Sequence, residues 1–327
     1  MRARRVLSLF VWLALGTAVP ACRLGRIEAP YAAGQAPSPA QLLAVVAPRI
    51  DALQVPSAKV RVGRSPAGNL MFLAQRPGRF SGQVQIAGRE LISLAFHEQG
   101  YALRNVAADG LDIGFYSGPP ADCAIRRLIG VPFAKEELID LVLGGAPMIT
   151  APYDVVEQRW DRKLGHEVLR LRNSASEQEL RFAWTAGAWW VAGSTLWTRD
   201  ASGNLARQWT VLHEDLRPVD STILPARTRI SRPDGRKEER VTITYSTQLP
   251  NPDLGDAAPA ESDDEGWEDD DSTDAPDPTA PPTDATAEPP TTAAPAPTPA
   301  APTPPKIPPQ FTLDSAGLPS RGDLCRR

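Results

Sequence analysis

From Lys59 to Tyr116 apolar and polar residues alternate with a period of two, broken at short intervals by turn-forming residues. Phe80, Gly82, Val84 and Ile86 fall on one side of such a segment and Ser81, Gln83 and Gln85 on the other. Gly68-Asn69, Gly88, Gly100 and Asp109-Gly110 supply turns, so each strand is expected to pair with its sequence neighbour as a meander with one buried face. After Gly118-Pro119-Pro120 the period changes. Ile125, Leu128 and Ile129 form one apolar stripe stopped by Gly130; Leu138, Leu141 and Val142 form a second, with Glu136 and Glu137 in its first turn and Gly144-Gly145 at its end. Helices this short are not stable alone and must lie on an apolar surface, and the sheet is the nearest one. Period-two segments resume at Tyr153 and continue to Tyr245, with hairpin turns at Ser202-Gly203 and Asp234-Gly235. The pattern predicts a mainly β domain: an unclosed antiparallel β-barrel of about 11–13 strands with a short helical lid. Ahead of it, Leu42, Leu43, Val46, Ile50 and Leu53 recur at helical spacing and predict a helix over Pro39 to Leu53, with Ser38 as its cap.

Composition divides the 327 residues. Residues 251–310 consist of an acidic run, Asp263 to Asp271, followed by Pro, Thr and Ala with almost no large aliphatic side chains. Such a segment cannot bury enough apolar area to offset its ordering entropy, and is expected to be a disordered tail or linker. Residues 39–250 remain as the folded domain, and 311–327 form a last segment of undetermined structure. The tail carries most of the acidic excess. What is left is slightly basic, with its arginines scattered along strands as on a solvated surface, which does not match a nucleic-acid-binding protein.

The first residues have the layout of a secretory signal, namely Arg2, Arg4 and Arg5, an apolar run from Val6 to about Ala18, and small residues before a cleavage point. Val19-Pro20-Ala21-Cys22 resembles the lipobox of bacterial lipoproteins, with Pro20 departing from its usual pattern. The resemblance implies a signal peptide over 1–21, acylation of Cys22, and an Ala/Gly/Pro-rich tether over 22–38. Arg23 stands where an aspartate would retain such a protein in the inner membrane, so the same sorting rules imply the outer membrane, facing the periplasm. The other cysteines, Cys123 and Cys325, lack metal-ligand spacing and are either a disulfide or two free thiols.

A family resemblance covers residues 39–246. Gln75-Arg76-Pro77-Gly78-Arg79-Phe80, then Phe96-His97-Glu98-Gln99-Gly100-Tyr101, then Tyr116-Ser117-Gly118, the helix pair and a long β half are similar to the LolA/LolB-like lipoprotein-localisation fold. The resemblance implies a concave apolar face that receives acyl chains under the lid. It also implies that Arg76 latches the lid by bonding helix carbonyls. Phe80, Leu138, Leu141, Trp184 and Trp197 are candidate cavity-lining residues. The protruding apolar loop of the family's anchored acceptor is not found here, and the long tail belongs to neither that acceptor nor the soluble carrier.

No enzymatic chemistry is legible. His97, His166 and His213 lie on separate strands without metal-ligand spacing, and there is no nucleophile elbow, phosphate loop or dinucleotide fingerprint; neither cofactor nor metal is called for. Arg321-Gly322-Asp323 carries no weight as a short motif. Two functions remain. One is a membrane-anchored module that binds acyl chains or lipoproteins in the half-barrel. The other is an interaction lipoprotein whose barrel is a filled scaffold and whose acidic, Pro-rich tail reaches an envelope protein.

Overall fold

A computed structural model describes residues 26–106, 111–120, 122, 124–125, 133–234, 237–254 and 307–326. Cys22, Cys123, the Asp109-Gly110 turn and residues Leu128 to Gly130 of the first expected lid helix lie outside the described residues. The chain divides into two units, residues 254–308 and all the rest; it leaves the larger unit at Asp253 and rejoins it at Pro309.

The larger unit is built on one sheet. Thirteen strands follow one another antiparallel: β1 (Ala52–Val62), β2 (Gly68–Gln75), β3 (Arg79–Ile86), β4 (Arg89–His97), β5 (Gly100–Asn105), β6 (Gly114–Gly118), β7 (Asp154–Asp161), β8 (His166–Arg172), β9 (Ser176–Thr185), β10 (Ala188–Arg199), β11 (Leu205–Val219), β12 (Thr222–Asp234) and β13 (Lys237–Pro250). The spatial order is β14-β6-β5-β4-β3-β2-β1-β13-β12-β11-β10-β9-β8-β7, in which β14 (Ser320–Gly322) is supplied by the C-terminal segment and pairs parallel to β6. The sheet does not close, since β7 and β14 are its two edges. Pairing of β1 with β13 joins the two runs of the meander into one surface.

Alternation sets the faces. Leu70, Phe72 and Ala74 of β2 are buried while Met71 and Leu73 between them are not fully covered. Phe80 opposes Phe96, and the rings of Phe72, Phe80 and Phe96 stack in sequence at 5.7 and 5.3 Å. Aromatic pairs across neighbouring strands stabilise the register by roughly 0.2–1 kcal/mol each. Leu103, Tyr116, Trp209, Val211, Ile230, Ile243 and Tyr245 complete the same inner face.

Two elements cover that face. The second lid helix forms as the sequence predicts, as α2 (Lys135–Val142), which buries Leu138, Ile139, Leu141 and Val142. The N-terminal helix does not run to Leu53. It is α1 (Pro39–Leu43), five residues capped by Ser38, and the chain then turns and enters β1 at Ala52. Pro48 lacks an N–H and its ring would clash with the carbonyl of residue 44, while the β-branched Val45 and Val46 add little helix propensity. Leu42 and Val46 still bury, against Leu169, Leu171, Leu180, Phe182 and Val191.

Both chain ends pack on the sheet. Residues 26–38, read from composition as a tether, run along the β7–β9 strands: Ile27 N–H donates to the Arg162 carbonyl at 2.9 Å, and Gln158 Nε2 donates to the Pro37 carbonyl at 2.7 Å. At the other end, Phe311 is fully buried, Arg104 Nη1 lies 3.0 Å from Asp314 Oδ1, and Leu324 inserts into the inner core beside Tyr101.

Candidate functional site

The candidate site is the inner face under α2. α2 lies there because Leu138, Ile139, Leu141 and Val142 recur at three and four and point one way. Its first turn is capped by Glu137, whose Oε2 accepts the Ala134 N–H at 2.8 Å. Phe133, just ahead of the helix, meets Trp209 edge to face at 5.2 Å. Below these lie Phe72, Phe80, Phe96, Leu103 and Tyr116. The contact between lid and sheet is therefore aliphatic on aromatic, with the carboxylates Glu137 and Asp140 of α2 half-buried at its margin. Each buried Leu, Ile or Val contributes roughly 1.5–3 kcal/mol relative to exposure. Among the described residues, one space between β4–β5 and the lid, lined by Leu94, Phe96, Tyr101, Ala124 and Ile125, is about 10 Å³, barely room for one water.

Polar attachments stand at the rim and at the exit of the lid. At the rim, Arg76 Nε lies 3.2 Å from Asp140 Oδ1, both side chains about one-third exposed. Burial pushes the Asp140 carboxyl above its ordinary range and the Arg76 guanidinium pulls it back. Among the described residues Arg76 is thus paired with a carboxylate on α2; the family resemblance implied helix carbonyls, and residues 126–132 lie outside the described residues.

The exit, residues 144–150, is held by buried side chains that the sequence reading did not single out. His213 Nε2 is 2.9 Å from the Gly145 carbonyl and its Nδ1 3.0 Å from Thr228 Oγ1. A carbonyl only accepts, so Nε2 carries the proton and Nδ1 accepts from Thr228, which in turn accepts from the Tyr245 hydroxyl at 3.2 Å. Burial pushes the His213 pKa down to about 4. Gln178, fully buried, donates to the Pro147 carbonyl at 2.5 Å and to Ser194 Oγ at 2.8 Å, and accepts the Ile149 N–H at 2.9 Å. Gly145 passes so close to the turn after α1 that an added Cβ would lie 2.7 Å from the Val46 carbonyl. The signal available in the sequence was a Gln and a His at inward positions of strands β9 and β11, where an apolar residue is expected.

The C-terminal segment closes the site at the β5–β6 edge. Leu324 N–H donates to the Tyr101 hydroxyl at 2.7 Å, and that hydroxyl donates to Asp323 Oδ1 at 2.7 Å. Burial and the Asp323 carboxylate push the Tyr101 pKa up to about 12. Arg321 Nε donates to the Ile113 carbonyl at 2.9 Å, so Arg321-Gly322-Asp323 is engaged with the sheet edge. Cys325 is disulfide-bonded.

Of the candidate lining residues, the structure brings Phe80, Leu138 and Leu141 together in the inner core. Trp184 shares the inner face of β9 but stands at the far end of the sheet, 43% exposed and 5.1 Å from Trp189. Trp197 is elsewhere. It opposes Glu177, on the face away from Gln178, and the Arg170 guanidinium lies over its ring at 5.9 Å. Among the described residues no cluster of His, Cys, Asp and Glu could hold a metal ion, and no helix is long and apolar enough to cross a membrane.

No protein-family model and no curated protein matches the chain. Among the solved structures to which it is similar are three of low sequence identity. One is a LolA superfamily protein from Nitrosomonas europaea, with 11% identity over 64% of this chain and 91% of that one and a TM-score of 0.41. Another is a DUF1329 family protein from Desulfovibrio piger, with 11% identity over 67% and 92% and a TM-score of 0.42. The third is described as an outer membrane lipoprotein-sorting protein domain from Vibrio parahaemolyticus, with 10% identity over 63% and 88% and a TM-score of 0.36.

Proposed function

We infer that the protein is a lipid-anchored envelope protein, held by Cys22 in the outer membrane and facing the periplasm, that takes acyl chains, free or carried by lipoproteins, onto the inner face of the half-barrel. The observation that supports this reading is the division of labour under α2: among the described residues an apolar seat, with polar attachments at the start, the rim and the exit of the helix. About a dozen buried methylenes contribute roughly 10 kcal/mol at ~0.8 kcal/mol each, comparable to the gross burial of the four aliphatic side chains of α2. An acyl chain can therefore replace the helix on the sheet at little net cost, with the lid turning about its pinned exit. No covalent step is involved. Arg76 is the latch in this reading, and the bonded partner of Cys325 is Cys123.

Native mass spectrometry of the mature chain carrying Cys22→Ser, titrated with a diacylated lipopeptide, tests it. One lipopeptide per chain is expected. A chain that stays ligand-free at saturating lipopeptide would sink the proposal.

The small space between β4–β5 and the described part of the lid favours a second reading, the filled scaffold with an interaction segment. The chain continues from that segment back into the domain at Pro309. Excising residues 255–306 separates the two: lipopeptide binding survives in the first reading, whereas in the second all function is lost while the domain stays folded.

A further inference from the structure

The end of the sheet farthest from α2's aromatic seat carries a second feature that acyl-chain binding does not use. Tyr31, Trp160, Trp184 and Trp189 form an aromatic cluster, with ring centroids 6.1 Å apart for Tyr31–Trp160, 6.4 Å for Trp160–Trp189 and 5.1 Å for Trp184–Trp189. It stands beside two neighbouring hairpin tips, residues 162–165 between β7 and β8 and residues 186–187 between β9 and β10, brought to one end by the pairing of His166 with Ala183. Around it Ile27, Leu164 and Trp184 are 46%, 44% and 43% exposed. Arg26, Arg162 and Lys163 are exposed as well, and none is in an ion pair among the described residues. The nearby Asp161 carboxylate is turned onto the N–H groups of Lys163 and Leu164 at 2.8 and 3.2 Å.

We propose that this aromatic end is a membrane-seating surface, lying in the interface of the phospholipid leaflet that holds the acyl anchor. The inference rests on the reading of Cys22 as acylated and adds an orientation to it. Ile27 is fixed to the β7–β8 tip, its N–H on the Arg162 carbonyl and its carbonyl on Trp160 Nε1 at 2.8 Å. Five residue steps separate it from Cys22, and a chain of that length spans at most about 18 Å. The tip is thus leashed close to the point where the acyl chains enter the bilayer. What it presents there is suited to that environment. Trp and Tyr rings settle at the water–lipid boundary, and unpaired arginine and lysine are drawn to anionic headgroups. The consequence is mechanical: β7–β10 rests on the leaflet and the lid half stands clear of it, free to move.

The full-length acylated protein, purified in detergent and reconstituted into phosphatidylethanolamine/phosphatidylglycerol vesicles, decides this when lipids brominated near the headgroup are included and tryptophan emission is read. Quenching is expected. Trp184→Phe should remove about a third of it, as one of three clustered indoles at the interface, and Trp197→Phe should leave it unchanged. Intact mass, read on the same sample, separates the two claims. An acylated protein whose emission is not quenched overturns the seating alone; a protein without the acyl mass overturns the anchor and the seating with it. A Trp184-dependent cross-linked dimer without quenching would assign the face to a second copy and also overturn the proposal.

Discussion

The two halves of the sheet are covered by different means. Over β1–β6 the cover is α2, seated by aliphatic side chains on phenylalanine rings and fastened at its edge by one part-exposed ion pair. Over β7–β10 the cover is the N-terminal segment with α1, fastened by polar bonds that converge on the buried Glu167: the Tyr31 hydroxyl donates to Glu167 Oε2 at 2.5 Å, and Gln158 Nε2, which also donates to Glu167 Oε1, donates to the Pro37 carbonyl at 2.7 Å. Apolar contacts have no preferred partner and can be exchanged for other apolar matter. A buried hydrogen-bonded group cannot leave its partner without leaving a donor or acceptor unpaired. The first cover is therefore replaceable and the second permanent, as the proposed acyl-binding role requires.

The comparison breaks most visibly at Gln178, which ties the exit of the lid to the permanent half. Gln178→Ala removes three hydrogen bonds and strands the Ile149 N–H and the Pro147 carbonyl. A loss of roughly 3 kcal/mol or more is expected, read as a lower urea midpoint, together with loss of lipopeptide binding because the lid has lost its hinge. An unchanged midpoint would show that the exit is not pinned there.

His213 provides a pH-dependent version of the same test. Its folded pKa, near 4, lies below the ordinary value of 6.5, so between these values the unfolded chain binds a proton that the folded chain refuses. Its neutral form is fully compatible with the fold above pH 6.5; stability is then lost progressively as pH falls toward 4, by up to about 3 kcal/mol. Denaturant midpoints measured across that window should fall in the native protein and flatten in His213→Gln. Equal slopes in both would remove His213 from the hinge.

The smallest effect is expected at the rim. Arg76→Ala breaks a pair that is about one-third exposed, and such pairs contribute roughly 0.2–1 kcal/mol. Global stability should scarcely move, while lipopeptide on-rates in stopped flow should rise because the latch is gone. A loss above 2 kcal/mol, or slower binding, would make Arg76 part of the platform.

Most of the sheet was legible because period-two alternation runs from β2 to β6; of the expected turn residues Gly88 stands in a turn, whereas Gly68-Asn69 open β2 and Gly100 opens β5, one to a few residues after the actual turns. What escaped had physical reasons. Trp197 would share the inner face of Trp189 under strict alternation, but a bulge in β10 between Val191 and Gly193 adds one residue and turns everything after it over. The N-terminal helix was over-extended because Ile50 and Leu53 bury at its spacing, although they do so from the turn and from β1. Both terminal segments lack any period. Ile27, Tyr31, Phe311 and Leu324 act as single residues, and two of their anchoring bonds are made by the backbone carbonyls of Ile27 and Pro37, which composition cannot distinguish from a tether. His213 and Gln178 were visible only as polar residues at inward positions, a signal that needs the fold before it can be read.

Hydrogen exchange on the full chain, followed peptide by peptide with and without diacylated lipopeptide, addresses the replaceable and the permanent cover in one experiment. The account predicts that α2 amides open at a lower free energy than those of β8–β10 and that lipopeptide changes protection in α2 and in β2–β5 while residues 26–38 and β8–β10 stay as they were. Equal opening energies in the two halves, with lipopeptide leaving α2 untouched, would contradict it.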